Sequence, residues 1–198
     1  MEALITGSSG VLGHSVVAEL SRRGDHLRLF DLLPPPASLR ARMDEGAAAR
    51  LTTLTGDMRD AAALRRAADG VEVIYHLAAG QRMKPQFAEF SEDEIFAMNL
   101  AGVQNALDAA RECRVRKVVF ISSSAVYGVP QAPLVDEEDH PKVPIGAYGR
   151  SKLEAETLCR RAVEAGLDGT GLRPMSPFGD GLTRGVALPF VWGGRDPR

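Results

Sequence analysis

Apolar positions along the chain alternate between two periods, short runs and helical stripes, and this alternation sets the expected elements. Ala3 to Ile5 is a short apolar run that stops at Gly7. From Leu12 the spacing becomes helical, with Leu12, Val16 and Leu20 on one stripe, and the stripe closes at Arg22-Arg23-Gly24 with cations and a glycine, as helix C-termini favour. His26 to Phe30 reads as a second strand ending at Asp31. Pro34-Pro35-Pro36 then excludes a continuous helix between Leu32 and Arg50. Leu51 to Thr55 is a third strand, closed by Gly56-Asp57. Asp60 is placed to cap a helix that runs to Ala68. Val71 to Leu77 is almost continuously apolar, as in a strand covered on both faces. Ser91-Glu92-Asp93-Glu94 reads as a capping box for a helix reaching about Arg114, with Ile95, Asn99, Gly102, Ala106 and Ala110 along its inner stripe. Val118 to Ser122 is the fifth strand. A proline-rich loop with an acidic, solvated run (Asp136 to Asp139) leads to a helix from about Tyr148 to Ala165. Leu167 to Leu172 is the sixth strand.

Strand and helix alternate throughout, with connections long enough for parallel crossovers, so the expected class is α/β, a doubly wound parallel sheet of the Rossmann type. Lysine plus arginine number 24 and aspartate plus glutamate 26, a net charge of −2. That balance gives no reason to expect nucleic acid or an anionic membrane as a partner. No apolar run is long enough to span a bilayer, and the first strand starts too near Met1 for a leader, so a cytoplasmic setting is expected. The two cysteines, Cys113 and Cys159, lie far apart without a histidine cluster, which fits a reducing compartment and no metal site.

Several stretches carry chemistry. Gly7, Gly10 and Gly13 stand between the first strand and first helix, where glycines allow a tight bend, close backbone approach to a diphosphate and close helix–strand packing. Val11 and Leu12 then supply the helix N-terminus, a ready site for phosphate. Asp31 at the end of the second strand is placed to accept both ribose hydroxyls of an adenosine and to repel a 2′-phosphate, so NAD is expected over NADP. Asp57, with Met58 beside it, is a second acceptor at the adenine end. Tyr148 and Lys152 are four apart on one helical face, and a nearby ammonium favours the phenolate a base would need. Ser122-Ser123-Ser124 stands at the C-terminal end of the fifth strand, where a hydroxyl can bond a reacting oxygen. Asn99 is the polar residue on an apolar stripe and suits a structural or a relay role equally. His76, inside an apolar strand, reads as a satisfied core histidine.

Taken together these residues resemble the extended short-chain dehydrogenase/reductase superfamily, in its NAD-dependent epimerase/dehydratase branch. The resemblance rests on Thr6-Gly7-x-x-Gly10-x-x-Gly13, Asp31, Gly56-Asp57, His76-Leu77-Ala78-Ala79, Asn99, Ser122 through Gly128, Tyr148-x-x-x-Lys152 and Leu172-Arg173-Pro174. It implies NAD as cofactor and Tyr148 as acid/base, with Lys152 on the nicotinamide ribose and Ser123 as the catalytic serine. Leu77, Ala78, Ala79, Asn99, Ser122 and Pro174 would be cofactor neighbours, and Ser124 and Ser176 would face substrate. The substrate class implied is a nucleotide sugar or a similar hydroxylated molecule; a non-catalytic dinucleotide-binding remnant or redox sensor, and a reductase of another small hydroxy or keto substrate, are the other readings. Ser176 departs from the asparagine many nucleotide-sugar epimerases carry there. The resemblance divides the chain into an NAD-binding domain at 1–180 and the start of a substrate lobe or tail at 181–198, with the C-terminal lobe largely missing and the site therefore open to water. It also implies a homodimer through the helices carrying Asn99 and Tyr148, with Ala101, Ala109 and Ala155 allowing close approach.

Overall fold

The computed structural model describes residues 1–40, 46–82, 84–131, 136 and 140–175. Six strands, β1 (Glu2–Thr6), β2 (His26–Asp31), β3 (Leu51–Thr55), β4 (Val73–His76), β5 (Lys117–Ile121) and β6 (Gly169–Leu172), form one parallel sheet in the order β3-β2-β1-β4-β5-β6. This is the doubly wound order, which reverses direction between β1 and β4. The helices are α1 (Val11–Arg22), α2 (Ala37–Arg40), α3 (Ala61–Ala68), α4 (Glu92–Glu112) and α5 (Gly146–Glu164). Side chains alternate across the sheet. Ala3, Ile5, Leu27 and Leu29 pack with Val17 and Leu20 of α1 and Leu39 of α2. Leu4, Phe30, Ile74, Val118 and Phe120 pack on the other face with residues of α3, α4 and α5.

Local signals account for the helix ends. The Asp60 side chain accepts from Ala63 N–H at 2.9 Å. Ser91 and Glu94 form the reciprocal capping box. α4 ends at Glu112, two residues before the expected Arg114. Cys113 caps it and Arg114 takes the left-handed turn (φ 56°) that glycine usually supplies, so that Val115 N–H reaches back to the Ala110 carbonyl at 2.8 Å. The strand ends differ from the apolar runs for a similar reason. Leu167 N–H bonds the Ala162 carbonyl and so belongs to the end of α5, which leaves β6 starting at Gly169. Val71 is buried but precedes the β4 ladder, because an apolar run marks burial and not pairing.

The stripe on α4 is buried as its spacing requires, and α4 packs lengthwise on α5. One expectation changes here. Ala109 and Ala155, read as surface positions for a partner helix, are 2% and 0% exposed and belong to the chain's own core. Small residues at helical spacing signal close approach without saying whether the neighbouring helix lies in the same chain. Among the described residues no helix is long and apolar enough to cross a membrane. Among the same residues no group of histidine, cysteine, aspartate and glutamate is arranged to hold a metal ion. Cys113 and Cys159 are both free thiols. The proposed boundary at 180 and the segment 181–198 lie outside the described residues.

Candidate active site

The strand reversal opens a crevice beyond the carboxyl ends of β1 and β4. A cleft of about 340 Å³ occupies it. Gly7, Gly10, Val11, Leu12 and Gly13 form one side and Leu77, Ala78 and Ala79 another, with Asp31, Asp57 and Met58 at one end. Gly7 is left-handed (φ 71°), and a Cβ there would lie 2.6 Å from the Ala78 backbone nitrogen. At Gly13 a Cβ would stand 2.4 Å from the Gly7 carbonyl oxygen and 2.7 Å from that of Ser8. Gly13→Ala is therefore expected to destabilise the chain by about 3 kcal/mol or more, since rigid backbone must move. Equilibrium urea unfolding measures this, and a loss under 1 kcal/mol would contradict the tight turn.

The turn suits a bound phosphate in two further ways. α1 has Gly10 as its N-cap, which offers no side-chain bond, and has no acid in its first turn. The first-turn N–H groups of Val11, Leu12 and Gly13 have no acceptor within the helix, and these residues line the cleft. Asp31 is fixed at the mouth because Ser9 N–H donates to its Oδ2 at 2.9 Å and Leu33 N–H to its Oδ1 at 3.2 Å. Asp57 is held by Arg59, at 2.6 Å and 2.9 Å to Oδ2, and this contact keeps its carboxyl below the usual range.

The second cluster stands at the end of β5. Ser123 caps the turn Ser124–Tyr127 by accepting from Ala125 N–H at 3.1 Å. The Tyr148 hydroxyl meets the side chains of Ser123 and Gln81. Lys152 lies a turn further along α5, its Nζ 5.8 Å from the centre of the Tyr148 ring and donating to the Ile121 carbonyl at 2.8 Å. Ser124 N–H donates to the Pro174 carbonyl, which brings the chain after β6 beside this cluster. Asn99 holds the floor: its amide group bonds both Gly80 N–H and Gly80 C=O and also Ser151 Oγ. Its role in this structure is thus to fix the loop that carries Gln81 and the helix that carries Tyr148.

Three readings from the sequence need correction. The Tyr148 phenol is raised, not lowered. Burial pushes it up, and the hydrogen bonds with Gln81 and Ser123 only partly offset this. Lys152 does not reverse this: burial, with Lys84 adding to the effect, lowers its own amine to about 8, so it is still mostly charged at neutral pH, yet the phenol stays raised. Ser122 does not turn its hydroxyl to a ligand. It donates at 2.5 Å to Glu156, which is also clamped by Arg173 at 2.7 Å on each oxygen. Burial pushes the Glu156 carboxyl up, but the bonds from Arg173 and Ser122 win and hold it below the usual range. His76 is half satisfied. Nδ1 meets Thr6 Oγ1 at 2.9 Å, whereas Nε2 is buried without a partner. Burial, reinforced by the charge of Lys152, lowers the ring to about 3, so it is neutral.

Of the expected site residues, Asn99, Ser122, Ser123, Ser124, Tyr148, Lys152 and Pro174 do not line the cleft itself, and Ser176 lies outside the described residues. Gln81, Lys84, Glu156 and Arg173 were not read from the sequence as site residues. Glu156 follows Lys152 by one further helical turn, a spacing that points to it; Gln81 and Lys84 sit in an irregular stretch without periodicity.

The sequence profile of the NAD dependent epimerase/dehydratase family matches residues 3–188. An uncharacterized protein, y4nG, of Sinorhizobium fredii is 34% identical over 191 residues, 96% of this chain and 44% of its own length. A short-chain dehydrogenase/reductase superfamily protein from Agrobacterium tumefaciens, crystallised with bound NAD, superposes with a TM-score of 0.72 at 35% identity, covering 87% of this chain and 48% of that one. DesIV, a dTDP-glucose 4,6-dehydratase from Streptomyces venezuelae crystallised as a double mutant with NAD, reaches a TM-score of 0.81 at 27% identity, covering 98% and 63%. The chain spans about half the length of the curated relatives it matches.

Proposed function

The chain belongs to the NAD-dependent epimerase/dehydratase family, and from that membership we propose that it binds NAD in the β1–β4 crevice and acts on a nucleotide sugar or a similar hydroxylated substrate. The observation that carries this reading is the convergence of the Tyr148 hydroxyl with Ser123 and Lys152 at the end of β5, beside a cleft built on a helix N-terminus without a side-chain cap. When bound, NAD supplies an acceptor for hydride. The chain's own residues do the remaining work. Ser123 donates a hydrogen bond to the substrate oxygen. Tyr148 takes the proton from that hydroxyl, or returns it when a carbonyl is reduced. Its raised phenol is a proton donor at rest. It becomes a base only with positive charge nearby, which Lys152 and an oxidised nicotinamide would supply together. Lys152, held by the Ile121 carbonyl, would bond the nicotinamide ribose when the cofactor is present. The test is a screen of nucleotide sugars for NAD-dependent epimerisation or dehydration. Absence of turnover together with tight NAD binding would favour a dinucleotide-binding protein without catalysis.

Asp31 sets the expected cofactor preference. Its fixed carboxylate accepts from ribose hydroxyls and repels a 2′-phosphate. Calorimetric titration is expected to show NAD binding at least about tenfold tighter than NADP, a difference of about 1.4 kcal/mol. Equal or tighter binding of NADP would remove this role from Asp31.

A further inference from the structure

A second cavity, of about 630 Å³, lies between α5 and the edge strand β6. That size is ordinary for a small-molecule site. Glycines make it. The ladder pairs Gly169 with Val118 and Gly171 with Phe120, and paired positions of parallel strands share a face. Val118 and Phe120 point to the face that α5 covers, so the two glycines do as well. A Cβ at Gly169 would stand 2.6 Å from Val163 of α5, which accounts for that glycine by helix packing. A Cβ at Gly171 would meet nothing within 4 Å. Packing within the chain therefore does not require glycine at 171, and a glycine inside a strand often marks the close approach of a ligand.

The lining is apolar at one end and cationic at the other. Val118 and Phe120, 3% and 2% exposed, form the floor, and Val163 and Leu167 close the end nearest Gly169. Cys159 adds a neutral thiol, pushed up by burial to about 12. The ionisable groups gather toward the carboxyl end of β6: the cations Lys142, Arg160 and Arg173 and the acid Glu156. Arg173 holds both oxygens of Glu156 at 2.7 Å, so those two charges cancel. Lys142 and Arg160 leave this end positive. Arg160 follows Glu156 by one turn of α5 and is exposed at the mouth.

We propose that this cavity binds an amphiphilic carboxylate, its aliphatic chain lying along Phe120 and Gly171 and its anionic head at Lys142 and Arg160. From Gly169 to Arg173 the strand spans about 13 Å, at about 3.3 Å per residue, which suits an acyl chain of medium length. A sugar would leave hydroxyls unpaired against Val118 and Phe120, and a bare anion would leave the apolar floor unused. The occupant lies against Glu156 and Arg173, and so against the clamp that also holds Ser122. The assignment does not depend on the reading of the β1–β4 crevice as an NAD site.

The experiment is calorimetric titration of octanoate into the wild-type chain, G171V and R160M, with octanol as the uncharged probe and melting curves for all three. The wild type is expected to bind octanoate about tenfold tighter than octanol, the usual worth of a hydrogen bond to a charged group. R160M should lose about three- to tenfold in octanoate affinity and keep its affinity for octanol. G171V should weaken both probes about tenfold, because the valine side chain takes the space of several methylenes. Its melting midpoint should not fall, since valine suits a strand and its Cβ meets no atom there. If G171V does melt lower, R160M and the two probes decide. A stable G171V whose octanoate affinity stays within about twofold of the wild type overturns the proposal. So does equal binding of octanoate and octanol, or an R160M that loses nothing. Octanoate displaced by NAD would belong to the β1–β4 crevice, which also overturns it. A wild-type chain that takes up no octanoate overturns it too; a dimer that G171V then converts to monomer by light scattering would give the cavity to a second copy of the chain.

Discussion

Tyr148→Phe is expected to lower hydride transfer about 10³-fold while leaving the Kd for NAD within about threefold, because removing a general acid–base group typically costs 10²- to 10⁴-fold. The hydroxyl that is lost meets Ser123 and Gln81, not the glycine turn. The ring that remains still packs in place, since the substitution removes no carbon. Lys152→Ala should behave differently. Its ammonium lies beside the Tyr148 ring and its stem is buried, so both chemistry and cofactor affinity should fall. The comparison is made by stopped-flow absorbance of the nicotinamide in single turnovers and by calorimetry for binding. If Tyr148→Phe lost NAD affinity as strongly as Lys152→Ala, the division of labour between the two residues would be wrong. The pH profile adds a second signature. A phenol raised by burial predicts that oxidation of a substrate hydroxyl is favoured as pH rises, and reduction of a carbonyl as it falls.

The framework of the sheet was legible because two periods alternate cleanly and because caps mark the helix ends. Asp60 and the Ser91–Glu94 box do what their residue types imply. The crevice was legible for the same reason: glycines at the β1–α1 turn and small residues after β4 are demands of backbone geometry, and geometry leaves a trace in residue type. What escaped was everything decided by direction and desolvation. Spacing places Tyr148 and Lys152 on one face, but it does not reveal that the ammonium is buried against Phe120, 5.0 Å from the ring centre, and so is itself costly to charge. Three serines in a row share a strand end, yet the alternation of side chains sends Ser122 to Glu156 and leaves Ser123 for Tyr148. Ala109 of α4 and Ala155 of α5 were read as allowing a partner helix to approach, and both are buried in the chain's own core. Lys84 lies in a stretch with no period at all, so only the folded cleft shows that its amine bonds the Ala79 carbonyl.

The burial of Lys152 leads to the second large expectation, that Lys152→Met raises stability while it removes function. Lys152 is 3% exposed, and burial lowers its amine from an ordinary 10.5 to about 8. In the unfolded chain the amine returns to its ordinary value. Below about pH 8 the folded chain therefore carries a charge that it would hold more favourably unfolded, and the cost is on the order of 3 kcal/mol. Between about pH 8 and 10.5 the unfolded chain binds the extra proton, so this contribution to stability rises with pH until the cost has gone. Methionine removes the charge at similar length. It gives up the bond to the Ile121 carbonyl, which offsets about 1 kcal/mol. The net gain expected at neutral pH is about 2 kcal/mol, a rise in Tm of roughly 5 °C for a chain of this size. The raw pH curve of the wild type is not the test, because Cys159, pushed up by burial to about 12, titrates in the opposite sense above pH 9. The difference between the two chains cancels most of that. Urea unfolding of both across pH 6.5 to 10.5 should show the advantage of Lys152→Met (~2 kcal/mol) on the acid side, shrinking steadily above about pH 8. A variant less stable than the wild type at neutral pH, or an advantage that does not change with pH, would show that the buried ammonium is fully compensated by Ile121, Phe120 and Glu156, and that the site carries no stored electrostatic cost.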